Sequence, residues 1–368
     1  MDTTLGNSPN ITSYDVAREA GVSIGTVSRV LTNQPNVDQE LRSRVLKAID
    51  LLGYVHVPKK RRAVPKIHIA ETLPPEIETK QPEKLIKNVT LCVPVRKTPA
   101  LQTSYFYQML NTAQAECARR KIALMYSVVE DGPGGLPQLD EAIQAGNADG
   151  ILLINFGAPE LIQGLYERGV PVVMIDPRQY PKVPIDVITN DAQDATIIAM
   201  EYLIGLGHRN IALINGPKRY GMQHRQYGYE IVLREAGLPV RPELISRNEL
   251  TSEGGENAML ELLERGVDFS AVFCANHYMA FGAIRVLQNA GKRIPEDVSV
   301  VGYGDLEPSE LYNWPLTSIN DHNELKGRLA IRYLLERAAH PNDLPIRITL
   351  PVELVVRGTS APYNPGNK

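Results

Sequence analysis

The 368-residue sequence predicts an α/β protein, with a small all-helical head followed by a large body of parallel sheet and crossover helices. Two observations carry this. Residues 12–54 read as three short helices in a helix-turn-helix spacing. The rest alternates short apolar runs with helical stretches, the pattern of strands joined by crossover helices.

The elements follow in order. A first helix over Ser13 to Glu19 takes its N-cap from the hydroxyl of Thr12 or Ser13 and carries Val16, Ala17 and Ala20 on one face. Gly21 supplies the left-handed residue that closes it, and Ser23 caps a second helix ending near Leu31. Val27, Val30 and Leu31 pack back on Val16 and Ala20, which leaves Ile24, Gly25, Ser28 and Arg29 on the outer side. A third helix, capped by Asp38 and ended by Gly53, buries Leu41, Val45, Leu46, Ile49 and Leu52 and gives the head its core. Strand runs then fall at Val89–Val95, Ile122–Ser127, Gly150–Asn155, Val172–Asp176, Val187–Thr189, Ile211–Asn215, Ala271–Ala275 and Val298–Tyr303. The body is too long for one small sheet.

Composition bounds the function. The N-terminal segment MDTTLGNSPN has no basic region followed by an apolar run, and no later stretch offers 18 uncharged apolar residues, so a cytoplasmic protein without membrane contact is expected. Cys92, Cys117 and Cys274 are scattered in apolar contexts and read as reduced core thiols. The formal charge of −3 hides an asymmetry. Residues 1–62 hold nine Lys/Arg against six Asp/Glu, a balance of +3 that leaves −6 for the remainder. The positive end is the one with the helix shaped to enter a DNA groove.

Ordered segments then point to a family. YDVAREAGVS, TVSRVL, NVDQELRSRVLKAIDLLGY, GLGHRNIALINGP, RQYGYEIVLREAG, FCANHYMAFGAIRVLQNAG, IPEDVSVVGYGD and PLTSI occur in that sequence along the chain. In these words the protein resembles the lactose-repressor/galactose-repressor (LacI/GalR) family of bacterial transcription regulators, over nearly the whole chain except about residues 55–87. The resemblance implies a helix-turn-helix domain at 11–57, a basic, Pro-rich linker at 58–87, and a periplasmic-binding-protein-like core at 88–365 that binds an effector and dimerises. It divides the core into an N-subdomain of about 88–190 plus 321–345 and a C-subdomain of about 191–320 plus 346–365, with the ligand between them.

On DNA, the hydroxyls of Thr12, Ser23, Thr26 and Ser28 suit phosphate oxygens, which fix register without reading sequence. Base reading falls to Ile24, Gly25 and Arg29: Arg29 can pair with guanine, Ile24 can touch a thymine methyl, and Gly25 either lets the backbone approach or gives up a contact. The hydroxyl residues read equally as ordinary caps and solvated faces. The expected partner is a pseudo-palindromic double-stranded operator bound by a homodimer, since a single head binds weakly.

For the effector, ligands in such sheets sit beyond the carboxyl ends of strands. Arg225, Asn276 and the Gly304–Asp305 pair lie there, at positions matching the family's effector contacts, with Tyr105, Phe106 and Asp176 completing a pocket. Core packing is the competing reading of the two aromatics. Two positions depart from the family: His277 follows Asn276 and Gly304 precedes Asp305, where aspartates are usual. Carboxylates accept paired hydrogen bonds from sugar hydroxyls, so their loss, with Arg225 kept and Arg178, Lys182 and Lys218 at the rim, shifts the expected effector from a neutral sugar toward a phosphorylated one, Asp305 standing in for one lost carboxylate. A regulator with no small-molecule effector, controlled by a protein partner or by abundance, is the alternative.

The connector departs too. The family's short hinge helix carries a leucine that wedges into the minor groove. Here residues 55–87 intervene, with only six residues between Pro58 and Pro65 and no leucine among them. Lys59, Lys60, Arg61 and Arg62 read as a basic arm for phosphates or the minor groove, or as a solvated charged linker. The tail APYNPGNK has no heptads to support a tetramer. Other classes find little support: GPGG at 132–135 sits in a polar loop, the seven histidines show no HExxH spacing, and neither cofactor nor metal is expected. An exported solute receptor would have no use for the head.

Overall fold

The computed structural model describes residues 13–22, 26–27, 30, 38–52, 86–95, 104–305 and 315–367. The chain divides into two compact units, Met1–Pro74 and Pro75–Lys368.

In the first unit, α1 spans Ser13–Ala20 and α2 spans Gln39–Leu52, while Thr26, Val27 and Val30 are helical between them. Gly21 has φ +62°, and Arg44 Nη2 donates to the carbonyls of Ala20 (2.6 Å) and Gly21 (3.1 Å), satisfying acceptors that a helix end leaves open. Asp38 Oδ1 accepts from the amides of Glu40 (2.9 Å) and Leu41 (3.3 Å), so the expected cap of α2 is present. The core is Val16, Ala20, Val27, Val30, Val45 and Ala48, with Val22, Ile49 and Leu52 packed against it. Leu46 corrects the sequence reading: it is 49% exposed, because Val45, Ala48, Ile49 and Leu52 already fill the inward stripe and position 46 lies about 100° further round the helix.

The second unit is built on two six-stranded sheets. The first contains β1 (Asn88–Pro94), β2 (Ala123–Val129), β3 (Gly150–Ile154), β4 (Val172–Ile175), β5 (Asp186–Asn190) and β11 (Arg347–Leu350), ordered β11-β5-β4-β3-β1-β2 and parallel throughout. The second contains β6 (Ile211–Asn215), β7 (Ile245–Arg247), β8 (Ala271–Cys274), β9 (Ser299–Tyr303), β10 (Thr317–Asn320) and β12 (Glu353–Val355), ordered β12-β10-β9-β8-β6-β7, with only β12 antiparallel.

Helices α3 (Ser104–Arg119), α4 (Gly135–Gln144), α5 (Pro159–Glu167) and α10 (Asn323–Ala339) serve the first sheet. Helices α6 (Ala192–Gly205), α7 (Tyr220–Glu235), α8 (Ser252–Glu264) and α9 (His277–Asn289) serve the second. Strands covered on both faces must be apolar on both, and they are: Ala212, Val272 and Val300 face one core, Leu213, Phe273 and Val301 the other. Cys92, Cys117 and Cys274 are buried and unbonded.

The subdomain boundary at 345/346 needs correction. β11 pairs with β5, Arg347 opposite Val187 through Leu350 opposite Asn190, so the chain stays with the first sheet to Leu350 before β12 joins the second. The two lobes are linked at three places: β5 to α6, β10 to α10, and β11 to β12.

Candidate functional site

The carboxyl ends of both sheets border one cleft of about 210 Å³. Asn155, Asp176, Thr189 and Asn190 reach it from β3, β4 and β5, and Asn276, Gly304 and Asp321 from β8, β9 and β10. In each sheet the first strand has neighbours reached by chain running in opposite directions, the topology that opens a crevice at strand ends. Asn155 (φ +62°) and Asp176 (φ +46°) are non-glycine residues in the left-handed region, a strained turn that the site retains. The N-terminal turns of α3, α7, α9 and α10 complete the walls.

A buried charge cluster occupies one side. Lys326, 1% exposed, sends Nζ to Asp176 Oδ2 (2.6 Å) and Asn323 Oδ1 (3.1 Å), with Asp321 Oδ2 at 3.6 Å. Asp176 also accepts from Tyr105 Oη (2.7 Å) and Thr189 Oγ1 (2.9 Å). Burial pushes the Asp176 carboxyl upward, but the ammonium and these hydrogen bonds outweigh it and its pKa lies below the ordinary value. Asp321, held by Asn323 Nδ2 at 2.8 Å, is dominated by burial and rises. Burial draws the lysine down, yet the two carboxylates lift it to about 12. Opposite, the Arg225 guanidinium lies 3.8 Å from the centroid of the Tyr303 ring, a cation–π contact, and its buried Nε has no hydrogen-bond partner among the described residues. These two carboxylates, one ammonium and one guanidinium sum to zero, and Arg219, which also lines the cleft, adds a positive charge outside that balance.

Six of the seven residues read from the sequence line this cleft: Tyr105, Phe106, Asp176, Arg225, Asn276 and His277. Asp305 does not. Its carboxylate pairs with Arg357 (2.7 Å) and accepts from Ser318 Oγ (3.2 Å), so it does not replace a lost cleft carboxylate; Asp321 occupies the cleft instead. Of the expected rim cations Arg178 alone lines the cleft, and it pairs with Asp131 at 2.6 Å.

Asn276 caps α9, its Oδ1 accepting from Met279 N at 2.7 Å while Nδ2 donates to Leu250 O at 3.0 Å. His277, 5% exposed, has no partner in good hydrogen-bond geometry at either ring nitrogen among the described residues. Burial depresses its pKa to about 3 against a smaller upward pull from the nearby Tyr303 carbonyl, so the ring is neutral.

Asp321, Asn323, Lys326 and Arg219 escaped the sequence reading. One signal was present: Lys326 shares the inward register of α10 with Ala330 and Leu334, both buried, where a lysine calls for a partner. In the head, Thr26 is half-buried and helical. Thr12, Ser23, Ile24, Gly25, Ser28, Arg29 and the cluster Lys59, Lys60, Arg61 and Arg62 lie outside the described residues.

Comparison with known proteins covers both units. The profile of bacterial regulatory proteins of the lacI family matches residues 12–56, and that of a periplasmic binding protein-like domain matches residues 200–360. The chain is 34% identical over 353 residues to the HTH-type transcriptional regulator CelR of Thermobifida fusca, covering 93% of this chain and 96% of that protein. It is 29% identical over 355 residues to the transcriptional repressor PurR of Haemophilus influenzae, covering 94% and 97%. Among solved structures, a CelR–cellobiose complex superposes with a TM-score of 0.69 at 31% identity, covering 95% of this chain and 100% of that one. The lac repressor dimer bound to operator and the anti-inducer ONPF gives 0.64 at 26%, covering 95% and 99%. No described helix is long and apolar enough to cross a membrane.

Proposed function

Because the chain belongs to the lacI family of bacterial regulatory proteins, and so is a DNA-binding transcriptional regulator, we propose that it is a cytoplasmic repressor whose operator affinity is set by a small neutral carbohydrate bound between the two lobes. The observation that carries the effector class is the balance of the inner charge cluster. Asp176, Asp321, Lys326 and Arg225 sum to zero, so an uncharged ligand leaves that cluster compensated, Arg219 being the lining cation outside the balance, and the rings of Tyr105 and Phe106 give the cleft the apolar surface that sugar rings cover. Of the rim cations behind the sequence lean toward an anion, Lys182 and Lys218 do not line the cleft and Arg178 is paired with Asp131. The CelR relative, solved with cellobiose, fits the same class.

Two heads on a homodimer bind a pseudo-palindromic operator, and occupancy blocks transcription. Thr12, Ser23, Thr26 and Ser28 hold phosphates while Ile24, Gly25 and Arg29 read bases, with Lys59, Lys60, Arg61 and Arg62 as a basic arm. A phosphorylated sugar is the second reading, favoured by Arg219 and Arg225, cleft cations that have no ion pair among the described residues. The test is to select operator DNA from random duplexes with the full chain, then titrate neutral sugars and sugar phosphates into the complex while following fluorescence anisotropy. A neutral sugar that shifts the operator Kd tenfold or more supports the proposal. A shift only with phosphorylated sugars transfers it to the second reading, and no shift with either class overturns effector control.

A further inference from the structure

We infer that His277 is a specificity-determining residue of the cleft, and that the part of the effector seated against it is an uncharged hydroxylated edge rather than an anionic group. The inference rests on the cleft being the effector site and concerns what the ligand must present at its base.

His277 begins α9, held there by the Asn276 cap, so its ring is placed by the helix rather than by its own hydrogen bonds. The ring is walled by Tyr278, with centroids 4.0 Å apart, and by Phe281 at 6.3 Å. It lines the cleft beside Tyr303, Gly304 and Arg225. Gly304 supplies the space: its φ of +86° and its bare Cα let the backbone lie against the imidazole, and a Cβ there would sit 3.3 Å from Nδ1. The two departures from the family pattern therefore meet in space, Gly304 leaving the room that the ring at 277 uses.

Neither nitrogen has a well-placed partner among the described residues, the Tyr303 carbonyl being a nearby acceptor short of good geometry, and buried polar groups in native proteins are ordinarily satisfied. A neutral imidazole offers one N–H and one lone pair on opposite sides of the ring. Sugar hydroxyls both donate and accept, so a hydroxylated edge can satisfy the donor and the acceptor together. A carboxylate or phosphate dianion can only accept and would set negative charge against the lone pair. The neighbouring carboxylates cannot play the part of His277. Asp176 already accepts from Lys326, Tyr105 and Thr189, and Asp321 is held by Asn323.

The experiment is isothermal titration of the full chain and its variants with glucose, galactose, ribose and cellobiose, alongside glucose 6-phosphate and gluconate, with melting curves confirming that each variant is folded. The expected result is binding of a neutral sugar that weakens at least tenfold in His277→Leu, recovers to within about threefold in His277→Gln, which restores a neutral donor and acceptor, and weakens in Gly304→Ala. Equal affinity of wild type and His277→Leu for a bound neutral sugar would overturn the role of His277 while leaving the cleft reading intact. Tighter binding of glucose 6-phosphate or gluconate that is lost in His277→Leu would overturn the uncharged edge. Absence of binding by all six probes counts against the cleft reading and the inference together.

Discussion

At the scale of single residues, the cleft depends on two buried side chains, Lys326 kept charged by its carboxylates and His277 kept neutral by burial. Lys326 is the only counter-charge within 4 Å of both Asp176 and Asp321 among the described residues. Lys326→Met should therefore destabilise the core by roughly 3–5 kcal/mol, the cost of stranding buried carboxylates. Urea denaturation would measure it, and the double change Lys326→Met with Asp176→Asn should be less harmful than the single one; equal losses would mean that the charges are not coupled.

His277 acts on pH. Its pKa of about 3 in the native protein is below the ordinary value near 6.5, so between those limits the unfolded chain binds a proton that the native one does not. Stability should fall as pH drops from about 6.5 toward 3, by up to ~1.4 kcal/mol per pH unit from this residue, with no contribution above that window. The melting temperature of His277→Gln should lose less over the same acid range; parallel curves would exclude the effect.

At the scale of elements, α8 and α9 cross at a pair of glycines. A methyl on Gly282 would collide with the Ser252 carbonyl, and one on Gly255 would collide with the backbone of Met279. Since α9 carries Asn276 and His277 at its first turn, this close approach sets where they stand in the cleft. Gly282→Ala is expected to cost about 1–3 kcal/mol or more by overpacking and to weaken effector binding with it, read from denaturation and titration of the same sample. Binding that is unchanged in a destabilised variant would show that α9 is positioned by other contacts.

Elements also differ in how plainly the sequence displays them. Eight strands announce themselves as apolar runs, seven of them interior to their sheets with both faces covered and β2 an apolar edge strand. β10 reads Thr-Ser-Ile-Asn although it is interior to its sheet, since Thr317 and Ser318 bond to Ser360 and Asp305 in the interior. β7, β11 and β12 are edge strands of three or four residues with polar faces, so no run marks them. The site shows the same division. Residues one step beyond a legible strand, such as Asp176 and Asn276, were found. Asp321 and Asn323 follow the strand that was not, and so escaped. Lys326 sits in a helix whose register made it visible in principle. Asp305 was misassigned because adjacency to Gly304 in sequence says nothing of Arg357, which approaches from the far end of the chain.

At the scale of the whole molecule, the connector sets what the dimer can bind. Residues 55–87 are 33 in number, and were this length of chain coil its ends would lie about 30 Å apart. Operator affinity should survive insertion of half a helical turn between half-sites with less than a tenfold loss, measured by anisotropy on a series of spacers. A sharp loss at half turns, regained at full turns, would require a rigid connection instead.

The order in which strands enter the sheets has a consequence for synthesis. A chain emerging from the ribosome makes β1 to β5 first, yet the β11 edge of that sheet appears only after every strand of the other sheet except β12. Neither lobe can close on the nascent chain before the other is nearly made, and a polypeptide arrested anywhere before Leu350 has two incomplete sheets. Premature termination late in the message, which in a chain of consecutive domains would spare the earlier one, leaves no finished effector-binding lobe here.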